Sequence, residues 1–233
     1  MHGPRETTGF DKEYCGAKPA SLLLADGTVM ALARIIRALK RVLSNPLLEI
    51  RRQYWNVRDW LLVRRVGNHY RFLGDEYPAE LNVGNAGRFI RDKALEWCQG
   101  RGLDVGAGPW PLPGAIPIDN DDEANAYRLD AYEDGSLDFV YSSHCLEHIV
   151  NWENALQLWI RKLRPGGVLF LYLPHESMKM WRPGGPWVRE NHLWTPTVGK
   201  LVPVLERAGA KVVEFNPGKD HAWSFHVVAR KLS

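Results

Sequence analysis

The sequence has few cysteines and no long hydrophobic run. Its three cysteines, Cys15, Cys98 and Cys145, are widely spaced and odd in number, which argues against a disulfide framework and suits a reducing compartment. No apolar run approaches the roughly 18 residues of a membrane-spanning helix, and SLLLADGTVMALA lacks the basic start and uninterrupted apolar body of a signal peptide. We therefore expect a cytoplasmic protein.

The sequence also lacks a strong excess of either charge, an internal repeat and a low-complexity block. A net charge of +3 is too small to argue for a nucleic-acid partner, and we expect none. With 45% hydrophobic and 24% charged residues, the composition is that of an ordinary globular protein that buries a sizeable core. A length of 233 residues then predicts one α/β domain with an N-terminal addition.

The N-terminal part of the chain is polar at first and then basic. Residues 1–27 show no hydrophobic period and contain Gly and Pro, which is typical of a flexible tail. Residues 28–81 form the predicted extension, in which residues 28–66 have the pattern of basic amphipathic helices broken at Asn45-Pro46. The cationic face of these helices has three possible uses: contact with an anionic membrane surface, contact with a phosphorylated substrate, or ordinary exposure to solvent.

The rest of the chain, residues 82–233, alternates between predicted strands and helices. The strands are residues 102–105, 115–119, 137–143, 168–174, 211–215 and 224–231, and the helices are residues 87–99, 151–163 and 197–209. This alternation predicts a mostly parallel sheet covered by helices on both faces. The last two strands follow each other without a helix and predict an antiparallel hairpin at one edge.

The strongest motif is DVGAGP at residues 104–109, followed by Asp119 at the end of the next predicted strand. Glycines at a strand end let a ligand approach the backbone, and a carboxylate after the second strand can accept both hydroxyls of a ribose. The third glycine of a dinucleotide fingerprint is missing, and three prolines at positions 109, 111 and 113 forbid a regular helix after the loop. An adenosine-containing cofactor without a pyrophosphate fits this pattern better than a nicotinamide dinucleotide.

From about Asn82 to the C-terminus the sequence resembles the class I S-adenosylmethionine-dependent methyltransferases. The matching stretches are GLDVGAG, the acid of IPID, the acid of RLDA, DFVYSSHCLEH and LRPGGVLFLYLP. Within that family it is similar to the type 11 enzymes, and to a bacterial branch with a shrunken first crossover helix that often serves surface-polysaccharide and glycan synthesis. The resemblance implies a Rossmann-like, doubly wound, mostly parallel sheet and S-adenosylmethionine as the cofactor.

The resemblance also implies roles for individual residues. Asp104, Gly106 and Gly108 would line the methionine end of the cofactor, and Asp119 would hold the ribose. Asp130 with Ala131 would face the adenine, and Ser143 would close the pocket. The whole set expected at the cofactor is Asp104, Gly106, Ala107, Gly108, Pro109, Asp119, Asn120, Asp130, Ala131 and Ser143.

Residues 144–148 carry the pattern H-x-x-E-H in His144, Glu147 and His148. In a zinc protease this pattern lies inside a helix, whereas here the first histidine is predicted to follow a strand directly. Some methyltransferases that this sequence resembles bind a divalent ion through E-x-x-E-H at this place, so these three residues are a candidate metal site. We expect no metal, and favour the alternative that Glu147 and His148 cap and orient the following helix.

Three histidines are candidates for the general base of methyl transfer to a hydroxyl group, because an imidazole titrates near neutral pH. They are His144 and His175, which each follow a predicted strand, and His192, which lies in an irregular segment. That segment, residues 181–197, is unusually rich in tryptophan and arginine. The residues expected to contact the substrate are Trp181, Arg182, Trp187, Arg189 and Trp194, because tryptophan stacks on sugar rings and arginine pairs with phosphate.

The sequence therefore predicts a methyltransferase that acts on a hydroxyl of a sugar, a nucleotide sugar or a surface glycan, which could be phosphorylated or lipid-linked. Additions before the first strand and insertions after the fifth often form a lid in this family, which predicts that the basic helices and residues 181–197 meet above the acceptor. No DPPY-type or NPPY-type sequence supports methylation of nucleic-acid amino groups. Two alternatives stay open: a cofactor-binding partner subunit without catalysis, and a dinucleotide-dependent sugar-modifying enzyme.

Overall fold

A computed structural model describes residues 46–119 and 125–233 of the chain. The predicted tail, the first of the basic helices and Asn120 lie outside the described residues. The chain divides into two compact units between Gly84 and Asn85, close to the boundary of residues 81 and 82 that the sequence suggested. Among the described residues, no helix is both long enough and apolar enough to cross a membrane.

The N-terminal unit contains one helix and a small sheet. Its elements are α1 (Pro46–Leu62), β1 (Arg64–Val66), β2 (His69–Phe72) and β3 (Asp75–Pro78), followed by a 3-10 helix at Ala79–Val83. The three strands form an antiparallel sheet in the order β1-β2-β3. The prediction of a helical extension over residues 28–81 is therefore wrong over residues 64–78. The backbone reverses direction between the strands at Gly67 (φ +56°) and Gly74 (φ +88°), which glycine adopts at little cost.

Helix α1 keeps the basic, apolar-rich character that the sequence predicted, and no residue of it is buried. Leu47, Ile50 and Trp60 are each more than half exposed, at 76%, 66% and 79%. Together with the other exposed apolar residues of the helix they form an apolar surface on the N-terminal unit.

The C-terminal unit is an α/β unit built on a six-stranded sheet. Its helices are α2 (Arg91–Trp97), α3 (Trp152–Lys162) and α4 (Val198–Arg207), with 3-10 helices at Ala86–Phe89, Leu146–His148 and Lys179–Trp181. Its strands are β4 (Gly102–Val105), β5 (Ile116–Ile118), β6 (Leu137–Ser143), β7 (Leu163–Pro174), β8 (Ala210–Phe215) and β9 (Ser224–Lys231). The strand order is β5-β4-β6-β7-β9-β8.

The strand directions confirm the predicted fold class. Strands β5, β4, β6 and β7 are mutually parallel, and β9 pairs antiparallel with both β7 and β8. All six strands and three helices predicted in this part of the chain are present, although α2 ends at Trp97, before the predicted residue 99. Strand β7 begins earlier than predicted, at Leu163, and its pairing with β6 shifts register between Leu137 and Phe139.

Alternate residues of the central strands supply two cores, one on each face of the sheet. On one face Leu169 and Leu171 pack with Trp159 of α3 and Leu205 of α4. On the other face the main aromatic contributions come from Phe139, Tyr141, Phe170 and Tyr172, which pack with Ala94 of α2. Because successive side chains of a strand point to opposite faces, a strand buried on both faces is almost wholly apolar, as residues 168–174 of β7 are.

The topology creates a crevice at the carboxyl ends of β4 and β6. From β4 the chain runs outward to β5, and then returns to the other side of β4 to form β6. The loops that follow β4 and β6 therefore leave the sheet in opposite directions and open a gap between them. Ligands of open α/β sheets bind at this kind of switch point.

Candidate functional site

A cleft of about 400 Å³ lies at this switch point. Gly106 from the loop after β4 and Asp119 from the end of β5 form one part of its wall. The segment after β6 forms another part. The full set of lining residues is Gly106, Ile118, Asp119, Asn125, Ala126, Tyr127, His144, Cys145, His148 and Ile149.

The loop between β4 and β5, residues 106–115, consists of turns and contains no helix, as the prolines predicted. Gly106 (φ +82°) and Gly108 (φ +52°) both have left-handed backbone conformations. The backbone N–H of Gly106 donates to the carbonyl of Ile118 over 2.8 Å, which ties the loop to β5. A Cβ on Gly108 would meet no atom within 4 Å, so the loop leaves open space beside its backbone. Without a helix N-terminus after the first glycines, the loop offers no pyrophosphate site of the dinucleotide kind.

Asp104, near the end of β4, holds this loop through a hydrogen bond to its backbone. The residue is 1% exposed, and its Oδ2 accepts a hydrogen bond of 2.7 Å from the backbone N–H of Leu112. Its other oxygen, Oδ1, is buried without a hydrogen-bond partner among the described residues. Burial raises the pKa of Asp104 to about 6, the hydrogen bond from Leu112 opposes this, and the charge of Asp119 adds to it. A polar cofactor group at the loop would offer this carboxylate the partner it lacks.

The remaining residues expected at the cofactor divide into two groups. Asp119 is exposed and lines the cleft, and Ala107 and Pro109 lie in the loop beside it. Asp130 and Ala131 are exposed and do not line the cleft. Nor does Ser143, whose Oγ would lie 3.4 Å from a Cβ placed on Gly87.

His144 lines the cleft and has a defined orientation. It directly follows β6, as predicted, and has a left-handed backbone at φ +49°. Its Nε2 lies 2.9 Å from Oγ of Ser224, and that hydroxyl donates its hydrogen to the carbonyl of Ala222 at 3.2 Å. The ring nitrogen Nε2 must then be the donor to Ser224, which leaves Nδ1 of His144 with a lone pair.

The Nδ1 atom of His144 lies 3.6 Å from Oε1 of Glu147, and Nε2 of His192 lies 3.7 Å from the same oxygen. His192 packs edge-to-face on His148, with ring centroids 4.5 Å apart. Four residues that the sequence separates by up to 48 positions thus form one cluster. Glu147 and His148 lie in the 3-10 helix Leu146–His148, so H-x-x-E-H does not form the single α-helical face of a zinc protease.

Burial dominates the electrostatics of this cluster. It raises the pKa of Glu147 to about 8, against the opposing effect of the residue's own backbone N–H. It lowers the pKa of His192 to about 3, with His148 acting in the same direction and the backbone of Trp181 opposing it. It also holds the pKa of His144 well below its usual range, with further contributions from His192 and His148. The imidazoles of His144 and His192 are therefore neutral at physiological pH.

The third histidine candidate, His175, lies away from the cleft. Its Nδ1 is 2.8 Å from Oγ of Ser177, and its Nε2 is 3.3 Å from the carbonyl of Pro217. Both ring nitrogens are thus engaged outside the cleft, which favours His144 over His175 as a base.

Within residues 181–197, the side chains expected to bind the substrate differ in their burial and in their contacts with His144. Trp181 is 8% exposed and packs edge-to-face on the His144 ring, with centroids 4.8 Å apart. Trp187 is half-buried and lies 6.0 Å from Trp181 between centroids. Arg182 is exposed and its Nε donates to the carbonyl of Glu176 over 2.6 Å, while Arg189 is partly buried with a left-handed backbone.

Trp194 is a packed side chain. Its ring stacks on Trp152 of α3 with centroids 4.2 Å apart, and its Nε1 donates to the carbonyl of Leu146 over 3.0 Å. Nζ of Lys200 lies 5.8 Å from the ring centroid. The contacts of this indole favour a role in holding the segment over stacking on a sugar.

A family model described as a methyltransferase domain matches residues 84–215, which is more than half of the chain. The chain belongs to this methyltransferase family. It is a class I enzyme of the S-adenosylmethionine-dependent kind, which confirms the resemblance and the cofactor that the motifs implied. The alternative of a dinucleotide-dependent enzyme is wrong, in keeping with the helix-free loop after β4.

Solved structures similar to the chain include three methyltransferases. The putative methyltransferase from Haloferax volcanii, in complex with the Trm112 activator, has 14% identity and a TM-score of 0.45 over 64% of this chain and 94% of that one. An enzyme from Mesorhizobium loti has 18% identity and a TM-score of 0.48 (64% and 99%). A putative enzyme from Listeria monocytogenes has 14% identity and a TM-score of 0.46 (64% and 98%). No curated protein matches the chain significantly.

Several lining residues were not foreseen from the sequence. Asn125, Ala126 and Tyr127 reach the cleft from a segment without a glycine motif, and the spacing of Cys145 from the other cysteines indicated only a reduced thiol. Two of them could have been suspected because they lie close in sequence to predicted site residues. Tyr127 precedes the acid of RLDA by three positions, and Cys145 follows the histidine that opens H-x-x-E-H.

Proposed function

We propose that this methyltransferase transfers the methyl group of S-adenosylmethionine to a hydroxyl of a sugar or glycan, with His144 as the general base. The observation that carries the proposal is that His144 lines the same cleft as Gly106 and Asp119. A base for the acceptor must reach the point where cofactor and acceptor meet, and of the three histidine candidates His144 best satisfies this condition.

The residues of the cleft fit the cofactor. Asp119 would accept hydrogen bonds from the ribose, and the backbone of residues 106–109 would lie along the methionine part, beside the unpaired oxygen of Asp104. When bound, S-adenosylmethionine supplies an activated methyl group on a positively charged sulfur. The protein then needs to align the acceptor oxygen, exclude water and receive one proton.

The protonation state of His144 suits it to receive the proton of the acceptor. Its Nε2 donates to Ser224, so the lone pair of Nδ1 is the one that can take the proton of the acceptor hydroxyl. As the oxygen forms its bond to the methyl carbon, the hydroxyl proton passes to this nitrogen. The low pKa of His144 keeps the imidazole neutral and ready to accept, although it also makes the imidazole a weak base.

A sugar acceptor is favoured by the aromatic and basic side chains near the histidine. Trp181 contacts the His144 ring, Trp187 lies next to it, and Arg182 is exposed on the same segment. Indole faces stack on sugar rings and guanidinium groups pair with phosphates, so a sugar that carries a phosphate fits this composition. Arg182→Ala should therefore raise the KM of the acceptor more than it changes kcat.

The surface of the N-terminal unit suggests that the protein reaches its acceptor at a membrane. Helix α1 combines exposed Leu47, Ile50 and Trp60 with three arginines against two acids, and its apolar surface with this modest positive charge suits an anionic membrane surface and hence a lipid-linked acceptor. Sedimentation with anionic vesicles should be strong at low salt and weaker at high salt, and Trp60→Glu should reduce it. If the protein does not sediment with anionic vesicles, the acceptor is met in solution.

The test of the function is a methyl-transfer assay against sugars, nucleotide sugars and lipid-linked glycans. Asparagine tolerates the left-handed backbone of His144, so His144→Asn changes the base with little strain. This variant should lose roughly 10²- to 10⁴-fold in kcat while it binds S-adenosylmethionine normally. The control is His175→Asn, which should stay within about threefold of the wild type.

A kcat that is unchanged in His144→Asn would exclude the histidine as the base. An assay in which no acceptor is methylated, while the protein binds the cofactor, would instead support a partner subunit without catalysis.

A further inference from the structure

We propose that Glu147, His148 and His192 bind a divalent transition-metal ion of the zinc type at the wall of the methyltransferase cleft. The proposal does not depend on the acceptor or on the base, because it concerns a binding site that can be measured without methyl transfer.

The three residues present one ligand atom each within a small space. A carboxylate oxygen of Glu147 and one ring nitrogen of each histidine all lie within 4.8 Å of one another. Oε1 of Glu147 lies 3.7 Å from Nε2 of His192. Ligands of a tetrahedral zinc ion lie about 3.3 Å apart, given metal–nitrogen distances of about 2.0 Å, so the cluster would have to contract on binding the ion.

His148 is held in the tautomer that a metal ligand needs. Its Nδ1 lies 2.9 Å from the backbone carbonyl of Asn191, so Nδ1 carries the hydrogen and donates it. The other nitrogen, Nε2, is left with a lone pair. A histidine that binds a metal usually donates its second N–H to a carbonyl or carboxylate in this way, which fixes the ring orientation.

The burial of Glu147 is an independent reason to expect a cation at this place. The residue is 0% exposed, and neither carboxyl oxygen has a hydrogen-bond partner in another residue of the described chain. An ionised carboxylate is costly to bury without a donor or a cation. Nitrogen atoms of His144 and His192 lie 3.6 and 3.7 Å from Oε1 of Glu147 without forming a hydrogen bond to it, whereas a bound cation would give the carboxylate a partner.

The ligand set differs from the one that the H-x-x-E-H pattern suggests. His192 takes the place of His144, which does not belong to the group whose ligand atoms all lie within 4.8 Å of one another and which remains at the cleft as the proposed base. No sequence pattern joins His192 to the motif, and the motif alone led us to expect no metal. The backbone N–H of Leu193 donates to the carbonyl of Glu147 over 2.9 Å, which brings the two segments together.

Two imidazoles and one carboxylate select the kind of ion. Nitrogen ligands suit zinc, iron, cobalt and nickel, whereas magnesium and calcium prefer oxygen ligands alone. Three protein ligands leave at least one position open. His148 also lines the cleft, so an oxygen of the acceptor or a water molecule could occupy that position.

The experiment uses the full chain without a histidine tag, stripped of metal by a chelator and dialysed. Calorimetric titration with Zn²⁺ should show one site per chain, and Co²⁺ should give the visible absorption bands of a low-symmetry nitrogen and oxygen site. Glu147→Gln preserves the side-chain volume, so it tests the charge of the ligand with little risk to the fold. This variant and His192→Ala should each weaken Zn²⁺ binding by at least about 100-fold.

Two control variants make the assignment specific. His221→Ala removes an exposed histidine outside the cluster and should leave Zn²⁺ affinity within about twofold. His144→Asn should also keep the site. The absence of stoichiometric binding in the wild type would overturn the proposal. So would loss of binding in His144→Asn with retention in His192→Ala, because the ligands would then be those of the H-x-x-E-H motif.

Discussion

A Cβ placed on Gly106 would lie 2.4 Å from the Cβ of Cys145 and 2.5 Å from its sulfur. The loop after β4 and the segment after β6 therefore approach each other more closely at the switch point than any other residue at position 106 would allow. The glycine is required here for two reasons, its left-handed backbone and the contact with Cys145.

The chain offers a matched pair that separates these two reasons. Gly114 lies in the same loop with nearly the same backbone, φ +83° against +82° for Gly106, but an added Cβ would meet no atom within 4 Å. Gly114→Ala should lower the free energy of unfolding by about 1 kcal/mol, which is the cost of a left-handed backbone at alanine. Gly106→Ala should cost clearly more and should weaken S-adenosylmethionine binding. Urea denaturation and calorimetry of both variants would measure this, and equal losses would show that Cys145 yields to the new methyl group.

The two acids that follow the cofactor motif should differ in their effect on cofactor affinity. Asp119 lines the cleft, whereas Asp130 is exposed away from it. A hydrogen bond to a charged group contributes roughly 1.5 to 3 kcal/mol, so Asp119→Ala should weaken S-adenosylmethionine binding about tenfold to a hundredfold. Asp130→Ala should have a smaller effect. The reverse order in calorimetry would mean that the adenosine lies closer to RLDA than to the end of β5.

The buried carboxylate of Asp104 should make stability depend on pH. Its pKa is raised from 3.8 to about 6, so the folded chain binds the proton more tightly than the unfolded chain does. The ionised carboxylate therefore costs stability above pH about 6, and this cost disappears as the pH falls towards 4. Asp104→Asn should gain stability relative to the wild type at pH 8, on the order of 2 kcal/mol. The gain should be much smaller at pH 4.5.

Asp138 provides a control of opposite sign for this measurement. Its hydrogen bond from Arg164 lowers its pKa below 3.8, so its contribution to stability is present above that value and is lost only at lower pH. Asp138→Asn should thus show a nearly constant deficit between pH 4.5 and 8. If Asp104→Asn shows the same constant difference, the carboxylate of Asp104 is ionised throughout that range.

The sheet could be predicted from the sequence because its strands carry strong local signals. The strand β7 is apolar over seven consecutive positions, and glycine or proline marks most of the turns on either side of the strands. The three-stranded sheet of the N-terminal unit gave no such signal. The side chains of β1 are all exposed, and the alternation of polar and apolar residues in β2 covers only the four residues His69–Phe72, which is a weak local signal.

The site could be predicted only where it follows strand ends. Gly106, Asp119 and His144 each stand directly after a strand or at its end, and parallel strands bring such positions to one edge of the sheet. The place of His192 depends instead on how an irregular segment of many residues packs back on the fold. A long loop has no period from which such a contact can be predicted.

That segment leads to the last prediction, which concerns Trp194. The sequence suggested that this residue stacks on the substrate, but its ring stacks on Trp152 and its Nε1 donates to the carbonyl of Leu146. Trp194→Ala removes both contacts from a half-buried position and should lower the free energy of unfolding by roughly 2 to 3 kcal/mol. Trp194→Phe keeps an aromatic stack and should cost only the hydrogen bond, about 1 kcal/mol.

The two variants also distinguish packing from acceptor binding. Because Trp194 follows His192 by two positions and ties that segment to the 3-10 helix of Glu147 and His148, loss of the indole should loosen the histidine as well. The acceptor KM of Trp194→Phe should stay within about twofold of the wild type, while urea denaturation reports the loss of stability. A large rise in KM at unchanged stability would instead mean that the indole leaves Trp152 to stack on the acceptor, as the sequence first suggested.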